Sequence, residues 1–169
     1  MTEITLKDFL IKNRDAVDFY FSIKDNYIPG RIYYRLTEMD FKGFVPKTFI
    51  SEKVLHNKNF KSIKKIETRY NLNAQLKKIF KNEPDYAFLE HIVPSKYILE
   101  NWKKYIKDID AFEDYLRNEA SICILMKSEE QNEFNGEKFP RTKGRETFEK
   151  SKAVYKNHGI IIKEFSLIR

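Results

Sequence analysis

Lys61, Lys65 and Arg69 recur at four-residue intervals, Lys64 lies beside them, and Lys77 and Lys78 repeat the arrangement eight residues further on. On a helix that spacing lines the cationic groups along one face. Such a face neutralises successive phosphates, releases condensed counterions and gains affinity without reading a base. The forty residues from Lys42 to Lys81 hold eleven Lys and Arg against two acids, a net +9 in a chain whose total is +7. A polyanion is the partner this implies.

Composition alone does not carry the point, because 24 Lys against 8 Arg is what an AT-rich genome imposes through its codons. The distribution does. Residues 1–41 sum to −1, residues 82–120 to −4 and residues 121–169 to +3, so charge is sorted along the chain. A second basic stretch, GEKFPRTKGRETFEKSKAVYKN, sets Lys138, Arg141, Lys143 and Arg145 around Phe139, Pro140 and Gly144. Read as an exposed loop, it offers Phe139 for stacking on an unpaired base while the cations hold phosphates. A third group lies in RIYYRL, where strand alternation puts Arg31, Tyr33 and Arg35 on one face, a stacking ring framed by two guanidiniums.

The segment SIKKIETRYNLNAQLKKIF, Ser62 to Phe80, resembles the helix-turn-helix of DNA-binding regulators over nineteen residues. Ile63, Ile66, Leu72 and Leu76 stand at its packing positions. The resemblance implies a turn at the asparagines, with Asn73, Gln75, Lys77 and Lys78 facing a major groove and Gln75 reading adenine. The chain departs from the pattern at Glu67, where a small residue is wanted, and has no Gly at the turn.

Catalytic signatures are thin. His56, His91 and His158 lie far apart and the single Cys123 sits in an apolar run, so no zinc spacing is present; there is no phosphate-binding Gly-rich loop and no dinucleotide fingerprint. The sequence calls for no metal and no cofactor. One acidic group, Asp108, Asp110, Glu113 and Asp114, and a second, Glu129, Glu130 and Glu133, are the places where a metal-dependent nuclease would hold its ion. Helical geometry turns Asp108 away from Asp110 and Asp114, which reads as a solvated acidic face.

The elements that must position these groups follow from periodicity. Thr5 caps a helix carrying Leu6, Phe9, Leu10, Val17 and Phe21 that ends before Pro29. Arg31–Leu36 reads as a strand, residues from Lys47 onward as helix, and Asp85–Val93 as a short helix. Ile98, Trp102, Tyr105, Ile109, Phe112 and Leu116 form one apolar stripe from Pro94 onward, and Asp110 followed by Glu113 has capping-box form that allows a break near Asp108. Ala120–Met126 reads as a central strand, Ser128–Gly144 as a polar loop, Glu146–Asn157 as a helix and Gly159–Leu167 as a last strand, the closing three forming a crossover unit.

The expected fold is therefore α+β: one mostly helical domain, residues 1–169, with a small sheet of three to five strands around 30–36, 120–127 and 159–167. With no stretch of eighteen uncharged apolar residues and no signal-peptide core, the cytoplasm is the expected place, and a lone buried Cys agrees with a reducing one. The expected function is binding: nucleic acid, DNA or RNA, held through the basic residues named above. The first alternative is an inhibitor or adaptor gripping a nucleic-acid-processing complex, in the manner of a phage or mobile-element regulator. The second is the metal-dependent nuclease.

Overall fold

The computed structural model describes residues 4–22, 47–63, 69–105, 108–134 and 136–166. It is α+β and mostly helical, around one small mixed sheet. The helices are α1 (Leu6–Lys12), α2 (Arg14–Ser22), α3 (Glu52–Leu55), α4 (Arg69–Ile79), α5 (Ser95–Tyr105), α6 (Ile109–Glu119), α7 (Lys127–Gln131) and α8 (Phe148–Asn157), with a 3-10 turn at Phe60–Ser62. The strands are β1 (Thr48–Ser51), β2 (Ala87–His91), β3 (Ile122–Met126), β4 (Glu133–Phe134), β5 (Glu137–Lys138) and β6 (Ile162–Glu164).

The main sheet runs β2-β3-β1-β6, with β1 parallel to β3 and both edge strands antiparallel to their neighbours. Alternation along the central strands sorts the core into two layers. Ile50, Ile124 and Met126 face Val54, Phe60, Leu72, Leu76 and Phe80, so α3, the 3-10 turn and α4 cover that side. Phe49, Cys123 and Leu125 face Phe139, Tyr155 and Ile160, so α8 and the loop before it cover the other. A third cluster is wholly helical at its centre: Leu6 and Leu10 of α1 meet Ile98 of α5 with Phe112 and Leu116 of α6.

The strands at 120–127 and 159–167 are present, as β3 and β6; the strand expected at 30–36 lies outside the described residues. Two elements differ from expectation. Thr48–Ser51 is a strand because it is buried on both faces, and a strand so enclosed shows no apolar-polar alternation to announce it. Asp85–Val93 contains β2 rather than a helix, and Glu90 is neutralised there by Arg145.

The expected crossover unit is absent. β1 lies between β3 and β6, and β6 runs antiparallel to β1, so the parallel pair is β1 with β3. The expected polar loop at 128–144 instead begins with α7 and the β4–β5 hairpin. The first helix is divided at Asn13, the C-cap of α1, whose side-chain amide donates to the Phe9 carbonyl.

The stripe on α5 and α6 is divided at Asp108, which caps α6 by accepting from the Ala111 N–H at 3.1 Å; the cap stands two residues before the Asp110 of the expected capping box. Replacing Asp108 with alanine orphans that donor and is expected to lower stability by about 1 kcal/mol, read from the midpoint of a urea titration.

Candidate nucleic-acid interface

α4 forms because Leu72, Leu76 and the flanking Phe80 recur at helical spacing and seat on the sheet. The same period turns Lys77, Lys78 and Lys81 outward, and all three are exposed. Lys61 is exposed on the 3-10 turn and Lys58 on the turn leading into it, and Phe60 between them is buried in the same cluster as the α4 leucines. One hydrophobic cluster thus places five lysines on elements covering one face of the sheet.

None of these five has an acid partner among the described residues. Cations elsewhere are commonly paired: Lys7 with Asp110 at 2.7 Å, Lys163 with Glu52 at 2.7 Å, Lys53 with Asp85 at 3.4 Å, Lys150 with Glu146 at 3.3 Å. The two acids of the +9 segment do not change this, since Glu52 is taken by Lys163 and Glu67 lies outside the described residues. Lys64, Lys65, Arg31, Tyr33 and Arg35 also lie outside them, and of Arg69 only its place at the start of α4 is described.

The helix-turn-helix reading fails on geometry. α4 runs without a break through Asn71 and Asn73, where the turn would be, and Phe60–Ser62 is a 3-10 turn followed by an extended Ile63 (φ −72°, ψ 112°); residues 64–68, where the first helix would lie, are outside the described residues. The asparagines sit within the helix instead of ending it.

The second basic stretch divides. Arg145 is 0% exposed and is no phosphate ligand. Its guanidinium donates from Nη1 to Glu90 Oε1 at 3.0 Å and to the Arg141 and Pro140 carbonyls at 3.1 and 3.3 Å. Nε donates to the Ile92 carbonyl at 3.2 Å, while Nη2 reaches the carbonyls of His91 and Ile92. The guanidinium lies 5.1 Å from the Phe139 ring centroid and 5.5 Å from that of Tyr155, so cation–π attraction adds to the hydrogen bonds.

Phe139, expected to stack on a base, is 5% exposed and packs edge-on against Tyr155 instead. What remains outside is Arg141 and Lys143, exposed, and Lys138, exposed but 3.8 Å from Glu133. Lys138 and Lys143 line an open groove of about 750 Å³ with Phe134, Pro140, Gly144 and His158. Gly144 holds a left-handed φ of +76° there. Phe134 is 43% exposed and is the ring in this neighbourhood that a base could reach. It stands beside Glu133 and outside the basic run, so nothing in its sequence neighbourhood marks it for stacking. Lys58 stands outside the expected contact set, whereas Lys81 continues the outward period of Lys77 and Lys78 and belongs to the same basic face.

Most of the acids expected for a nuclease are already engaged. Asp108 caps α6, Asp110 pairs with Lys7, and Glu113 accepts from Arg117. Glu129 Oε2 accepts from the Ser51 hydroxyl at 2.7 Å and from the Met126 N–H at 2.8 Å, tying the ends of the parallel strands together; burial nonetheless lifts this carboxyl above its ordinary value. Glu130 pairs with Lys127. Asp85 shows the opposite balance: burial pushes its carboxyl up, but hydrogen bonds from the Ser128 side chain and backbone and the charge of Lys53 bring it below the ordinary value. Among the described residues no three His, Cys, Asp or Glu side chains gather to hold a metal ion, and no helix is long and apolar enough to cross a membrane.

No protein-family model matches this chain, and no curated protein or solved structure gives a significant match to it.

Proposed function

We propose that this protein binds nucleic acid through its phosphate backbone, without reading sequence. The observation that carries the proposal is the set of Lys58, Lys61, Lys77, Lys78 and Lys81, exposed together and without acid partners among the described residues. A cation already paired with a carboxylate must break that pair to engage a phosphate, whereas these lose only hydration and counterions. Arg141 and Lys143 extend the surface on the other side of the sheet, and exposed Phe134 gives the groove beside them a stacking platform. The buried Arg145 serves this surface indirectly, by fixing the loop from which Arg141 and Lys143 project.

Fluorescence anisotropy with random-sequence duplex and single-stranded oligonucleotides at low salt tests the proposal. The expected result is saturable binding of comparable strength for unrelated sequences of one length. Absence of binding at low salt overturns it.

A further inference from the structure

Strand β6 ends the sheet, and its outer edge is uncovered among the described residues. Pairing with β1 sets Phe49 opposite Glu164, Ile50 opposite Lys163 and Ser51 opposite Ile162. The Glu52 N–H donates to the Ile161 carbonyl at 3.0 Å and the Phe165 N–H to the Thr48 carbonyl at 2.8 Å. Residues 161, 163 and 165 therefore turn their backbone groups toward β1. By the alternation of an antiparallel ladder, Ile162 and Glu164 turn theirs outward. Outward-facing N–H and C=O groups are a template for one more strand.

Beside this edge, between β6 and α8, lies an open apolar groove of about 690 Å³ lined by Ile160, Ile161, Ile162 and Ala153, with Lys152 and Lys156 also at its wall. Ile161 is 58% exposed, an unusual position for so large an aliphatic chain. Lys152 is engaged with Glu149 at 3.8 Å; Lys156 is exposed and has no acid partner among the described residues. Backbone template, apolar wall and unpaired cation adjoin one another.

We propose that this edge binds an extended segment of a partner protein as an added strand, with alternate apolar residues against the groove and a carboxylate set toward Lys156. Main-chain hydrogen bonds supply the affinity in such an arrangement, and the alternate side chains supply the selection.

A second copy of this chain is the competing occupant, and the edge is built against it. Antiparallel self-pairing about a two-fold centred on Lys163 faces that lysine with its own copy, and centring on Glu164 does the same with the carboxylates. Centring on Ile162 sets Lys163 against Ile161 and Glu164 against Ile160. A foreign strand avoids all three registers. The site lies at the opposite edge of the sheet from β2, on which α4 packs, so an added strand leaves the lysines of α4 open. The inference does not depend on nucleic-acid binding.

The test uses the full chain, ¹⁵N-labelled, with short synthetic peptides that alternate valine with glutamate, threonine or lysine. The valine-glutamate peptide is expected to slow amide exchange of Ile162 and Glu164 by about tenfold or more, and to bind more tightly than the valine-lysine peptide. Glu164→Pro removes one outward donor and leaves the inward donors of Lys163 and Phe165 in place, so it should abolish this protection. Ile161→Lys, at an exposed position, should weaken binding at least tenfold, and carries the test alone if the proline variant does not fold. Protection from none of the peptides, or protection undiminished in both folded variants, overturns the proposal. So does a concentration-dependent dimer lost in the same variants, which would give the edge to a second copy.

Discussion

Arg145→Ala is expected to destabilise the protein by about 3–5 kcal/mol, the range for removing one partner of a buried ion pair. The guanidinium is fully buried and joins three otherwise separate pieces: Glu90 and the His91–Ile92 carbonyls after β2, the Pro140–Arg141 carbonyls of the loop, and the rings of Phe139 and Tyr155. Alanine leaves those acceptors without donors and a cavity beside the two rings.

The effect has a pH signature. Burial holds the Glu90 carboxyl above its ordinary 4.5, with Arg145 pulling it back down. A carboxyl raised in the folded state makes its full contribution to stability below the unfolded value and loses it as pH rises through the folded one. Without Arg145 the rise is larger, so the gap between variant and wild type should be widest at neutral pH, narrow as pH falls through the raised folded values, and lose its charge component below about 4.5. Adding Glu90→Gln to the Arg145→Ala variant should recover part of the loss at pH 7 and remove that pH dependence. Urea denaturation across pH reads both. A uniform loss at all pH values would mean that packing, not charge, is what Arg145 supplies.

The second large effect concerns binding. Replacing Lys61, Lys77, Lys78 and Lys81 together with alanine is expected to weaken nucleic-acid affinity on the order of a thousandfold at 0.1 M salt, since each released counterion contributes roughly a factor of eight relative to 1 M. These side chains are exposed and form no ion pair among the described residues, so stability should change by only about 0.5 kcal/mol per site or less. A folded variant with unchanged affinity would move the interface elsewhere.

The parts of this architecture that follow local rules were legible in the sequence. Lys77, Lys78 and Lys81 fall outside the Leu72–Leu76–Phe80 stripe by helical period alone, and the fully buried run Ile122–Met126 announced β3 by its apolar content. The Thr5 cap was equally local.

What escaped depended on partners far along the chain. Arg145 reads as one more cation in a basic loop until Glu90, 55 residues away, is placed beside it. Phe139 looked available for stacking because nothing nearby in sequence shows Tyr155 waiting for it. The asparagines at 71 and 73 have weak helix propensity, and burial of Leu72 and Leu76 on the sheet overrides it.

The slope of log affinity against log salt, measured for the wild type and the four-lysine variant on one random duplex, tests the central claim most directly. With about six phosphates neutralised the wild-type slope should be roughly −5, falling to roughly −2 when four contacts are removed. A wild-type slope near zero, or an equal slope in both proteins, would contradict the claim that these unpaired lysines hold the phosphate backbone.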